Sequence, residues 1–337
     1  MKTAKDFTEL PLEVVETSIV KPKPAKDYLQ DYYQSLGDGS IDYLGIKTGL
    51  SSLDKATLGL DGLIVLGGIA GQGKTSLALQ LAVDACEIGT PVLFYSLEMP
   101  KRAIFTKVFS RLSQIKYSDL MLKGRGYLDG TYKEEEKEKE FLDFITIDFF
   151  TKTETQRLKE AQGKFEAIAD KFYIRSREVG DSEIDFDSVE REINLLKAEH
   201  NADKVLVVID HLQVFQAKEY KDQIDKENKL ITGFKGISER TGATLLIISQ
   251  KNKAGFSGKG RLEEIKGSVD IVYLADLVMF LQEEAEKGKG KGQEQVISSG
   301  EISRQIDLVI SKNRYNAPTT IHLNFDGAYG IFTEARR

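Results

Sequence analysis

The chain has 337 residues, 47 lysines and arginines against 53 aspartates and glutamates, a formal net charge of −6, three histidines and one cysteine. That length buries a sizeable core without covalent staples, and the single Cys86 excludes a disulfide framework and an all-cysteine zinc site. With only the scattered His200, His211 and His322, a histidine-built metal site is not expected, and no apolar run nears the ~18 residues that cross a bilayer.

The first residues lack a continuous apolar segment of the secretory kind, so a cytoplasmic protein with no membrane partner is expected. The mild acidity leaves room for a local nucleic-acid groove, because binding follows the local field rather than the sum. Residues 1–24 are polar and end in Lys-Pro-Lys-Pro, which suits an extended linker. Residues 25–36 place Tyr28, Leu29, Tyr32, Tyr33 and Leu36 on one helical stripe, closed by Gly37-Asp38-Gly39. The apolar face of this short helix packs either on its own domain or on a neighbouring subunit. Residues 1–44 thus read as an N-terminal arm and 45–337 as the main domain.

From residue 45 short aliphatic runs recur at 63–67, 92–96, 205–209, 244–249, 277–281 and 306–310, separated by longer helical patterns. Such near-continuous apolar strands predict an α/β fold, a mostly parallel sheet with helices on both faces. Residues 319–325 and 329–332 predict a closing β-hairpin around Asp326-Gly327. Two segments read as insertions. Residues 123–165 carry the charged run 133–140, a solvated helix face. Residues 283–300 read as a flexible loop, with Lys287, Lys289 and Lys291 either at a disordered tip or contacting phosphates.

Residues 68–75, Gly-Ile-Ala-Gly-Gln-Gly-Lys-Thr, match the P-loop pattern, with a strand entering and a helix leaving. Gly68, Gly71 and Gly73 let backbone N–H groups turn inward as an anion nest at a helix N-terminus, which Ser76 continues. Lys74 adds a point charge for the β/γ-phosphates of ATP, and the Thr75 hydroxyl is a ligand for Mg²⁺. A second carboxylate must hold the ion through water, and Asp210, ending the run Val-Leu-Val-Val-Ile, supplies it. His211 follows it rather than an acid, so the group that activates water lies elsewhere. Glu98 stands just past the strand after the P-loop helix, where strand ends share one ligand-binding edge. Gln250 ends its strand at the same edge and is placed to sense the γ-phosphate.

Seven blocks in order complete the pattern: 45–60, 71–82, 95–100, 207–213, 247–252, 267–281 and 311–318. Together they resemble the C-terminal ATPase domain of DnaB-type replicative DNA helicases. The resemblance implies a RecA-like fold, a hexameric ring with active sites between subunits, and an ATP-driven motor that unwinds duplex DNA by moving along single-stranded DNA. It implies Glu98 as general base, Gln250 as the γ-phosphate glutamine, and Lys312 and Arg314 as a pair reaching a neighbour's γ-phosphate. It puts DNA contacts on the stretch with Lys251, Lys253, Lys259, Arg261 and Lys266, although Glu264 stands near the place of the family's arginine. A helicase loader and primase are the family's partners. Only 44 residues precede the ATPase region, so a short form without the usual N-terminal domain is expected, of phage or other mobile origin. The alternative is a RecA-like regulatory or assembly ATPase that loads a partner without unwinding.

Overall fold

Alternate residues of the apolar runs face opposite sides of one sheet, and both sides are covered. The computed structural model describes residues 24–26, 29, 33, 44–126, 150–177, 184–215, 220–250, 273–283, 295–296 and 302–335. The chain divides into two units, residues 1–42 and 43–337. In the first, the described positions Lys26, Leu29 and Tyr33 are helical; the rest of the arm expected at 1–44 lies mostly outside the described residues.

The larger unit begins with helix α1 (Ser51–Thr57), then strand β1 (Leu63–Gly68), the P-loop and helix α2 (Lys74–Glu87). Strand β2 (Val92–Ser96) follows, then α3 (Lys101–Ser113), α4 (Tyr117–Gly126), α5 (Lys152–Glu166) and β3 (Phe172–Ser176). Next come α6 (Phe186–His200), β4 (Leu206–Asp210), α7 (Gln223–Thr241), β5 (Thr244–Gln250) and β6 (Leu277–Glu283). The described chain closes with β7 (Gln295–Val296), β8 (Ile302–Asn313), β9 (Thr319–Asp326) and β10 (Ile331–Glu334). Among the described residues the sheet has ten strands, in the order β10-β9-β8-β6-β1-β5-β4-β2-β3, with β7 paired to β8. The six strands from β6 to β3 are parallel; β8, β9 and β10 add antiparallel pairs.

Period-two alternation explains the two cores. Ile64, Leu66, Phe94, Val208, Leu246 and Ile248 pack under α2 and α3, whereas Leu63, Val65, Leu93, Val207, Leu245 and Ile247 pack under α6 and α7. Each fully buried aliphatic side chain contributes ~1.5–3 kcal/mol. The register aligns the C-terminal ends of the parallel strands: Ser96 lies opposite Asp210, and Gly68 opposite Gln250. That edge carries the P-loop.

The closing hairpin forms as expected, with Asp326 Oδ1 accepting the Ala328 N–H at 3.0 Å. Two of its aromatics, Phe325 and Phe332, stack at 4.3 Å between ring centroids. The side chain of Gln80 on α2 pairs with the main chain of Phe332, donating to its carbonyl (2.9 Å) and accepting its N–H (2.8 Å).

The structure differs from the sequence expectation in three places. The segment 123–165 is not all insertion: α5 opens on a capping box between Thr151 and Glu154 and buries Leu158, Ala161 and Phe165. Phe165 lies edge-on to Phe105 and to Phe172, 5.8 Å from each. The charged run 133–140 lies outside the described residues. Strand β3 is not expected from the sequence, because only its ends are buried and Arg175 interrupts its apolar run, as an edge strand permits. Within 283–300, Gln295–Val296 pairs with β8; Lys287, Lys289 and Lys291 lie outside the described residues.

Candidate nucleotide site

The P-loop is shaped from below by the hairpin. Gly73, the N-cap of α2, has φ +90°, and a Cβ there would stand 2.8 Å from the ring tips of both Phe325 and Phe332. Only glycine serves that position. At its start, after Gly68, the Ile69 N–H donates to Gln72 Oε1 (2.9 Å), while Lys74 Nζ donates to the Ile69 carbonyl (2.8 Å). Lys74 therefore rests on the loop that it serves. Burial pulls its pKa down, and Asp210 and Glu98 oppose that shift.

The Thr75 hydroxyl donates to Asp210 Oδ2 at 2.9 Å, joining α2 to the end of β4. Asp210 is buried, and burial raises its carboxyl to about 6 despite the Thr75 bond and the nearby Lys74 and Lys107. Glu98, more than half exposed, faces the same space with His211, whose Nδ1 lies 3.6 Å from Glu98 Oε2. The histidine is desolvated, which lowers its pKa, and its Nδ1 makes no hydrogen bond. One donor atom each from Glu98, Asp210 and His211 falls within 4.8 Å of the others. The turn after β4 thus carries His211 beside both acids.

These groups line a cleft of about 380 Å³ that includes Gly71, Gly73, Lys74, Thr75, Ser76, Glu98, Asp210 and Gln250. Sequence reasoning missed three basic or polar contributors. Lys107 reaches the cleft from α3, and its Nζ sits 5.0 Å over the Tyr117 ring. Its one signal is a lysine on the otherwise buried stripe of Ala103, Ile104 and Val108. Arg304 on β8 donates to the Gly71 carbonyl (3.2 Å) and lies 5.4 Å over Phe325, its cross-strand partner. Gln213 donates to Ser249 Oγ (3.1 Å) and accepts the Gln250 N–H (3.3 Å), tying the turn after β4 to the end of β5. Neither Arg304 nor Gln213 carries a local sequence signal.

Lys312 and Arg314 are elsewhere. The end of β8 pairs with the start of β6, at the edge opposite the P-loop. Lys312 Nζ donates to the Tyr273 carbonyl (2.9 Å), and Arg314 Nη1 donates to Asp276 Oδ1 (2.7 Å). Lys251, Lys253, Lys259, Arg261 and Lys266 lie outside the described residues. No helix among the described residues is long and apolar enough to cross a membrane.

Comparison with known proteins decides the family. The DnaB-like helicase C-terminal domain matches residues 45–334. The chain belongs to this family. Among curated relatives of this DnaB-type chain, the replicative DNA helicase DnaB of Rickettsia typhi is 23% identical over 356 residues, covering 97% of this chain and 62% of its own. That of Helicobacter pylori strain 26695 is 24% identical, covering 86% of this chain and 59% of its own. The chain thus spans about three fifths of the length of these relatives. One solved ATPase domain superposes with a TM-score of 0.75 at 17% identity, covering 94% of this chain and all of that one. A DnaB-like replicative helicase, described with its interactions with primase, gives 0.72 at 16% identity, covering 94% of this chain and 68% of that one. The fold is therefore the RecA-like fold of DnaB ATPase domains, and a DnaB-type chain binds nucleotide.

Proposed function

We propose that this DnaB-type chain is an ATP-hydrolysing ring translocase that moves along single-stranded DNA and unwinds duplex DNA. One observation carries the proposal: the nucleotide cleft and the Lys312–Arg314 pair occupy opposite edges of one sheet. Strands of about six residues separate them by ~20 Å, so the pair completes a nucleotide site only in a neighbouring subunit, as in a hexameric ring.

The P-loop N–H groups and Lys74 hold the phosphates, with Lys107 as a further cation. Thr75 directly, and Asp210 through water, would hold Mg²⁺; a buried carboxylate at about 6 beside a hydroxyl fits a divalent cation. The ion would draw charge from the phosphates. Glu98 takes a proton from the attacking water. Lys312 and Arg314, in trans, stabilise charge that develops in the transition state. Gln250, held through Gln213, passes the state of the γ-phosphate to residues 251–266, the proposed DNA contacts. A loader and primase are proposed partners, and the cytoplasm the proposed compartment.

The test measures ATPase rate with and without single-stranded DNA, alongside particle mass with nucleotide. A DNA-stimulated hexamer is expected. A DNA-indifferent assembly that still hydrolyses ATP would instead establish the regulatory ATPase.

A further inference from the structure

Asp276 is a buried carboxylate at the edge of the sheet far from the nucleotide, and the nucleotide cleft makes no use of it. Its Oδ2 accepts the Leu63 N–H (2.8 Å) and Lys235 Nζ (2.7 Å), and its own N–H donates to the Leu63 carbonyl (2.8 Å). A Cβ on Gly62 would stand 2.3 Å from Oδ2, so only glycine leaves room for this carboxylate. Asp276 is therefore fixed from β1 and from α7. Its Oδ1 is turned the other way and accepts from Arg314 Nη1 at 2.7 Å. The Asp276 carbonyl also accepts the Arg314 backbone N–H at 2.9 Å. One residue thus grips both the root and the tip of an arginine whose side chain is still 62% exposed.

We infer that Asp276 is the positioning residue for Arg314, holding one side of its guanidinium so that the remaining N–H groups face an incoming triphosphate of a second copy of this chain. This rests on the proposed trans role of Arg314. A free arginine gives up ~2 kcal/mol of rotamer freedom when it is fixed. An arginine already anchored on a rigid carboxylate has given up part of it before the subunits meet, and its planar fork has donors to spare. The competing account is that Asp276 only pins β1 to β6, with Arg314 as a bystander.

A double-mutant cycle on ATP hydrolysis by the assembled, DNA-stimulated protein separates the two. Asp276→Asn is expected to lower kcat about tenfold, with KM for ATP and particle mass unchanged. In the Arg314→Ala background the same substitution is expected to change kcat less than twofold. Equal losses in both backgrounds, a loss in KM instead, or a rise in kcat overturns the inference. If Arg314→Ala alone leaves kcat intact, the trans role fails first and takes the inference with it. Asp276→Asn leaves Lys235 without its buried counter-charge. If that variant does not fold, the cycle is run with Asp276→Asn combined with Lys235→Met, and read in the same way.

Discussion

The Thr75 hydroxyl and Asp210 Oδ2 lie 2.9 Å apart although 135 residues separate them in the chain. The contact joins the P-loop helix to the carboxylate that closes an otherwise apolar strand. It also brings a desolvated negative charge into a cleft built for anions.

That charge has a measurable cost. Burial raises the Asp210 carboxyl from 3.8 to about 6. Between those values the folded chain binds the extra proton, so this group's contribution to stability falls as pH rises from about 4 to 6. The full effect is ~3 kcal/mol above pH 6. Asp210→Asn is therefore expected to raise the melting temperature of nucleotide-free protein at pH 8 by several degrees. The difference should vanish near pH 4. Thermal unfolding at both pH values, without divalent ions, checks it.

Glu98→Gln keeps the size of the side chain but removes the proton acceptor. Hydrolysis should fall at least ~100-fold, while affinity for a fluorescent ATP analogue stays within twofold. Residual turnover near the normal rate would assign the base to another group.

Lys107→Met preserves the apolar stem that α3 packs and deletes the charge facing the cleft. Charge-assisted bonds of this kind contribute ~1.5–3 kcal/mol. Nucleotide binding is expected to weaken tenfold or more in an equilibrium titration, with the fold intact by circular dichroism.

Gly73→Ala puts a methyl group into the Phe325–Phe332 stack and forces a side chain to φ +90°. Strain of ~1–3 kcal/mol is expected from the backbone alone. The variant should melt lower and lose nucleotide binding, although every charged group of the site is unchanged. Calorimetry with and without nucleotide tests both halves.

The P-loop, Asp210, Glu98 and Gln250 were legible in the sequence because each is tied to a local pattern: a glycine spacing, or a polar residue closing an apolar strand. The sheet was legible for the same reason, since its buried strands are nearly continuous runs of aliphatics. Lys107, Arg304 and Gln213 were not. Lys107 joins the site through the facing of a helix, and Arg304 through β8–β9 register. Gln213 does so through a turn that meets the end of β5. Strand β3 is hidden by Arg175, and α5 by the charged segment before it, although the Thr151-x-x-Glu154 signature marks its start. The closeness of His211 to Glu98 has no signal in the sequence, because Glu98 arrives from the end of a neighbouring strand.

The hairpin beneath the P-loop places late elements of the ATPase domain under an early one. Residues 68–75 leave a ribosome some 250 residues before Phe325 and Phe332 do. Until those rings stack and Phe332 pairs with Gln80, the loop has its motif but lacks its floor. A nascent chain therefore acquires its grip on nucleotide only once residue 332 has been made. Occupancy by nucleotide would then mark an ATPase domain whose two ends have come together.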